Sequence, residues 1–236
     1  MKKLCIITAR GGSKRIPRKN IKNFYGRPII SYPIELALKS GLFDEVMVST
    51  DDPEIAEISK SYSAKVPFFR SEKNSNDTAG TDAVLFEVIE EYKKLGMNFE
   101  YACCIYPTSP LLTLEKLEEA WKLLLSKDLD TVFSMIKYGS PIQRALRRNE
   151  EGLVSMFHPE NLTKRSQELE PAYYDAGQFY FFNIQRFLKK GKLWTDHSSA
   201  ILLDDMEAQD IDNEEDWNLA EFKYKFRMQS IESRNV

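Results

Sequence analysis

The chain has 236 residues, which fits one fairly large domain or a domain with a smaller subdomain. Its 33 basic residues nearly balance 36 acidic ones, a net charge of −3, so no broad basic surface for nucleic acid is expected. No apolar run approaches the roughly 18 residues of a membrane span, and the three cysteines and two histidines fall into no zinc spacing.

Lys3–Ala9 is a short apolar run that ends at Arg10 and a glycine pair. It is too short for a signal sequence and reads as a first strand of a cytoplasmic protein. Ile29–Lys39 reads as a helix stopped by Gly41, and Glu45–Thr50 as a second strand. Asp52 is placed to cap a helix over Asp52–Ser61, with Pro53 at its first turn. Lys65–Phe69 reads as a short strand. Leu85, Val88, Ile89 and Tyr92 recur at helical spacing in a helix over Thr81–Leu95. Tyr101–Tyr106 is a strand whose adjacent Cys103 and Cys104 point to opposite faces as buried, reduced thiols. Thr113 caps a helix carrying Leu117, Trp121 and Leu124, and Thr131–Ile136 is another strand.

The alternation stops at Tyr138. Ile142–Arg147 and Leu153–Phe157 flank a turn at Asn149–Gly152, a hairpin, and a polar stretch follows over Asn161–Pro171. Gln178–Asn183 and Ala200–Leu203 resume as strands, and Asn213–Phe226 is a terminal helix. These elements predict a mostly parallel α/β sheet with helices on both faces. One domain is expected over 1–227, with 138–176 inserted as a projecting element and 228–236 as an untethered tail.

The segment after the first strand concentrates chemistry. Gly11 and Gly12 let the backbone approach a ligand, with N–H groups available to phosphate oxygens. Arg10, Lys14, Arg15, Arg18 and Lys19 supply charge for a polyanion at the carboxyl end of a strand, where such sheets bind ligands. Neither the P-loop pattern nor the dinucleotide G-x-G-x-x-G is present.

Ala9-Arg10-Gly11-Gly12-Ser13-Lys14-x-Ile16-Pro17-x-Lys19-Asn20-Ile21 resembles the opening motif of the CMP-sialate synthetase family, the cytidylyltransferases that activate nine-carbon acidic sugars. The resemblance spans roughly residues 3–225. It implies a Rossmann-like nucleotidyltransferase fold with a projecting dimerisation element. It also implies CTP as donor, an acidic nonulosonic sugar as acceptor, and a homodimer, with neither nucleic acid nor membrane as partner. Ala9, Arg10, Gly11, Gly12, Ser13, Lys19 and Asn20 become nucleotide-binding positions, with Arg10 and Lys19 stabilising phosphate charge.

Other positions agree. Asp51 and Asp52, in Ser49-Thr50-Asp51-Asp52, are candidate ligands for base or ribose, or else a turn and helix cap. Arg70 faces the nucleotide, and the loop Asp77–Asp82 opens a helix whose N-terminus, at Thr81, suits an anion. Pro107-Thr108-Ser109-Pro110 matches the family turn. Asp210-Ile211-Asp212 matches its late D-x-D, and carboxylates at i and i+2 on an extended segment suit Mg²⁺ (or Mn²⁺) together with substrate phosphates. Neither histidine is placed as a general base, so the metal or one of these aspartates must serve.

Departures from the sialate pattern point to the acceptor. Tyr106 stands where N-acetylneuraminate enzymes carry glutamine, and Asp175-Ala176-Gly177-Gln178-Phe179-Tyr180 stands where they carry an N-G-A segment. With the stretches around Gln143 and around Arg165 and Gln167, these resemble the pseudaminic acid branch. That resemblance assigns Gln143, Arg165, Gln167, Tyr106, Asp175 and Gln178 to the sugar, Arg165 to its carboxylate. Legionaminic and N-acetylneuraminic acids are the alternative acceptors. A nucleotide-sugar-dependent glycosyltransferase is the more distant reading.

Overall fold

The structure is a computed structural model that describes residues 1–76 and 78–233. Its centre is a six-stranded sheet made of β1 (Lys3–Thr8), β4 (Glu45–Ser49), β5 (Tyr101–Ile105), β6 (Thr131–Lys137), β9 (Tyr173–Asn183) and β10 (Ser198–Leu203). Two small hairpins accompany it, β2 (Asn23–Phe24) with β3 (Arg27–Pro28), and β7 (Leu146–Arg148) with β8 (Val154–Met156). The strand order is β10-β6-β9-β5-β1-β4. All neighbours pair in parallel except β9, which runs antiparallel to β5 and β6. The sheet is therefore mostly parallel, as expected.

Helices α1 (Ser31–Lys39), α2 (Pro53–Ser61) and α4 (Leu114–Ser126) cover one face, burying Ile34, Ile55, Leu117 and Leu124 against Cys5, Ile7, Cys103 and Phe181. Helices α3 (Thr81–Lys94) and α5 (Ile184–Lys190) cover the other, with Leu85, Val88, Tyr92 and Phe187 on Leu4, Ile6, Cys104 and Phe182. Cys103 and Cys104 thus belong to opposite cores, and all three cysteines are buried and free. Both expected caps form: Asp52 accepts the N–H groups of Glu54 and Ile55 at 2.9 and 3.0 Å, and Thr113 that of Lys116.

Several expectations change. Lys65–Phe69 is not a strand. Lys65 makes one bridge to Met47, and Pro67 lacks the N–H that would continue the ladder. β9 starts at Tyr173, not Gln178, so the projecting arm covers 138–172 and Asp175 lies in the sheet. The residues 142–144 form a 3₁₀ turn rather than strand. Helix α6 (Glu214–Glu232) continues past Arg227 into the segment expected to be a tail, while 234–236 lie outside the described residues.

A third apolar cluster determines where the site is built. Trp217 and Ala220 of α6 pack with Phe24, Ile29 and Tyr32, and with Ile16 and Ile211. Ile16 sits in the basic loop and Ile211 between the two late aspartates, and each is 1% exposed. Burying such a side chain stabilises by about 2 kcal/mol, and here it also joins segments nearly two hundred residues apart.

Candidate active site

The chain order passes from β1 outward to β4 and then back to β5 on the other side of β1. A crevice opens at the carboxyl ends of strands where order reverses in this way. A cavity of about 430 Å³ lies there. Thr8 at the end of β1 and Tyr106, Pro107 and Thr108 after β5 form part of its wall. Arg10, Ser13, Lys19, Asn20, Arg70 and Thr81, all expected at the nucleotide, line it as well, as do Lys14 and Arg15.

The loop that enters this cavity is tied from behind. The Ala9 N–H donates to the Ser49 carbonyl at 2.9 Å, so Ala9 is buried beneath the cleft rather than on it. The Gly11 N–H donates to Asp51 Oδ1 at 2.9 Å and is not turned to the cleft, contrary to the expected use of the glycine amides. A Cβ on Gly11 would stand 2.7 Å from Asp52 Oδ2, which is a packing reason for glycine; at Gly12 a Cβ would meet nothing within 4 Å. Asp51 lies outside the cavity lining and acts as a strut for the loop. Arg18 also leaves the expected set of cations, because its guanidinium turns back to Asp52 and Glu54. Buried Asn20 donates to the Arg10 carbonyl at 2.9 Å and closes the loop on itself.

Arg70 is 8% exposed and spends its donors on Ser49, Nε on Oγ at 3.0 Å and Nη2 on the carbonyl at 2.6 Å. Burial pushes its pKa down, partly offset by Asp51 and Glu87. Glu87 of α3 holds the next residue, accepting the Ser71 N–H at 2.6 Å. Asp77, in the loop before α3, falls outside the described residues.

Lys19 joins the loop to the late aspartates. Its Nζ donates to the Ile211 carbonyl at 2.6 Å, and Arg15 pairs with Asp212 at 2.7 Å. Burial lowers the Lys19 pKa, with Asp212 and Asp210 working against it. Asp210 is raised, by burial first and by Asp212 second. Among the described residues no third acidic, histidine or cysteine side chain joins this pair into a metal cluster. Asp210, whose charge is disfavoured first by burial and then by Asp212, and Asp212 itself are the side chains that could hold a hard divalent cation here, together with phosphate and water oxygens.

Tyr106 crosses the cavity wall and its hydroxyl meets Thr81 Oγ1 at 2.8 Å; burial pushes its pKa up to about 12. Asp175 does not reach the cleft. One of its oxygens accepts the Gly177 N–H at 2.9 Å and the other the Tyr180 hydroxyl. Tyr180 packs edge-on to Tyr106, with ring centroids 5.7 Å apart. Gln178 is 1% exposed in an irregular stretch of β9 and is a core residue; its carbonyl accepts the Tyr106 N–H and the Ser109 hydroxyl.

The cytidylyltransferase family profile matches residues 4–224. The chain belongs to the cytidylyltransferase family. It is 43% identical to the pseudaminic acid cytidylyltransferase of Campylobacter jejuni subsp. jejuni serotype O:2, over 98% of this chain and 99% of that one. It is 29% identical to the CMP-N,N'-diacetyllegionaminic acid synthase of Legionella pneumophila, covering 94% and 95%. A CMP:2-keto-3-deoxy-manno-octonic acid synthetase complexed with CTP shares the fold at TM-score 0.69 and 16% identity, over 97% of this chain and all of that one.

In this cytidylyltransferase the three remaining sugar candidates sit apart from the cleft, on the arm. Gln143 donates to the Glu170 carbonyl at 2.8 Å, bracing the arm internally. Arg165 pairs with Glu168 at 2.7 Å on an exposed turn, and Gln167 beside it is exposed. His158 lies on the arm and His197 beside Asp130, so neither histidine approaches the cleft lining. Sequence reasoning missed Ile16 and Ile211 as the residues that join loop and aspartates. Their signal was an isolated large apolar residue among charges, Asp-Ile-Asp in one case and Arg-Ile-Pro in the other.

Proposed function

We propose that this cytidylyltransferase transfers CMP from CTP to the anomeric C2 hydroxyl of pseudaminic acid in the cytoplasm, releasing pyrophosphate. The observation that carries the reaction is Lys19, which lines the cleft and is anchored between Asp210 and Asp212. The 43% identity to a pseudaminic acid enzyme, against 29% to the legionaminic one, supports the acceptor.

The sugar hydroxyl gives up its proton to one of the late aspartates or to solvent as its oxygen bonds to the α-phosphorus; the bond to the bridging β-phosphate oxygen breaks in line, and pyrophosphate leaves with that electron pair. Arg10 and Lys19 meet the charge that builds on the phosphates, in a site where burial strengthens each contact. Asp210 and Asp212 are the residues to hold Mg²⁺ (or Mn²⁺), which supplies charge stabilisation and acidifies the attacking hydroxyl when bound. Tyr106 and Thr81 form the wall offered to the acceptor.

A homodimer accounts for the arm. Leu146, Leu153, Val154, Phe157 and Leu162 are each more than half exposed on it, and Arg165 and Gln167 lie outside the cleft of their own chain. A second copy would cover the apolar set and bring those polar side chains to the partner's cleft. Light scattering is expected to show twice the chain mass, and a monomer at working concentration removes this part.

The deciding assay is pyrophosphate release from CTP and Mg²⁺ with pseudaminic, legionaminic and N-acetylneuraminic acids in parallel. Turnover with pseudaminic acid alone is expected. Turnover with a different acid retains cytidylyl transfer and rejects the acceptor; none with any of the three rejects both.

A further inference from the structure

Arg18 and Lys19 are consecutive cations that do opposite things. Lys19 enters the cleft, whereas Arg18 turns away and grips α2. The split follows from the backbone, because Arg18 adopts φ 55° and ψ 30°, the left-handed region that disfavours any residue with a Cβ. A residue held there needs surroundings that over-determine it. Its carbonyl accepts the N–H groups of Ile21 and Lys22, each at 3.0 Å. Its guanidinium reaches both oxygens of Asp52 and also Glu54.

Asp52 is engaged on three sides. It caps α2 through Glu54 and Ile55, pairs with Arg18, and stands where a Cβ on Gly11 would collide. Its neighbour Asp51 takes the Gly11 N–H. The phosphate-facing stretch between Gly11 and Arg18 is therefore fastened at both ends to one Asp-Asp pair at the end of β4.

We propose that Arg18 and Asp52 are positioning residues, an ionic clamp that holds the loop in its nucleotide-ready shape before CTP arrives. Neither touches the substrate. The clamp means that loop order is already present in the free protein, so CTP does not have to supply it; misplacing such groups weakens use of a ligand without altering its chemistry. This role rests on the reading of the cleft as a CTP site.

Two variants separate the clamp from its scaffolding. Arg18→Gly favours the same left-handed backbone and removes the guanidinium. Asp52→Asn retains a side chain that caps α2 and removes the charge. Each is expected to raise KM for CTP about tenfold with kcat within about twofold, and the double variant to be no worse than either alone. Amide exchange across Gly11–Arg18 of the free protein is expected to quicken in both. Parental KM and parental exchange in Arg18→Gly overturn the clamp, and so does a lowered melting temperature with unchanged KM, which would reduce the pair to a helix-end contact. Quickened exchange in both variants of a protein that binds no CTP would uphold the clamp and sink the nucleotide reading.

Discussion

The cleft and the arm carry equal weight in the sequence pattern but are built in different ways. Around the cleft, polar groups are fastened: the Arg70 side chain on Ser49, the Lys19 side chain on Ile211, and the Gly11 N–H on Asp51. On the arm, Arg165 and Gln167 are exposed, and Leu146 of β7 and Val154 of β8 face solvent. A preformed pocket spends little of its binding energy on ordering itself, while an exposed surface must gain its order from whatever covers it. The contrast teaches that the triphosphate side is ordered within one chain, whereas the arm exposes the surface that the proposed homodimer would cover.

The largest effect tests the fastened side. Lys19→Ala is expected to lower kcat/KM for CTP about a thousandfold, the scale of removing one charge-stabilising donor. Parental kinetics would break the phosphate role. Asp212→Ala is next, with metal-dependent turnover down at least about a hundredfold and the fold retained by circular dichroism.

A mixing experiment sharpens the contrast itself. Lys19→Ala and Arg165→Ala, each inactive alone, are expected to regain about a quarter of parental activity when co-refolded, since half the dimers carry one intact composite site. No recovery would place Arg165 in its own chain's chemistry or nowhere in it. Leu153→Asp is expected to shift sedimentation towards monomer with little change in melting temperature, because that side chain is 66% exposed.

The smallest effect concerns pH. Asp52 is held below its ordinary range, first by the Arg18 hydrogen bond, so it favours the folded state above the unfolded carboxylate pKa and that contribution is lost as pH falls. Asp210 is raised, so its preference is fully present at acid pH and disappears as pH rises through its folded value. Asp210→Asn is therefore expected to flatten the decline in melting temperature from acid to neutral pH in metal-free protein. An unchanged slope would show that neither burial nor Asp212 disfavours the Asp210 charge in the folded protein.

Much of this is legible in the sequence itself. Capping by Asp52 and Thr113 and the helical spacing of Leu85, Val88 and Tyr92 are local rules, and local rules survived folding. What failed was tertiary. Pro67 is compatible with an extended run, but only the pairing of Lys65 with β4 shows that its missing N–H falls where the next ladder bond would have to form. Gln178 and Asp175 looked like sugar ligands because polar residues in a distinctive motif attract that reading. The irregular pairing that buries one and turns the other to Tyr180 depends on register with β6, which the motif does not encode. α5 was overlooked because seven residues after a strand carry little periodic signal. Among the loop cations, Lys19 and Arg18 are indistinguishable by composition. The left-handed backbone of Arg18 is what divides their roles.

The arm leaves β6 after Lys137 and rejoins at Tyr173, and these two residues stand opposite each other in the sheet, with the Tyr138 N–H donating to the Ala172 carbonyl just beyond. Entry and exit are thus a single rung apart. A short turn in place of residues 138–172 would leave β6 and β9 as an ordinary hairpin, and any other insert that begins and ends on that rung would hang from the same hinge. The arm thus hangs from the sheet by one rung, and replacing residues 138–172 by a short turn is expected to leave the strands that frame the cleft in register.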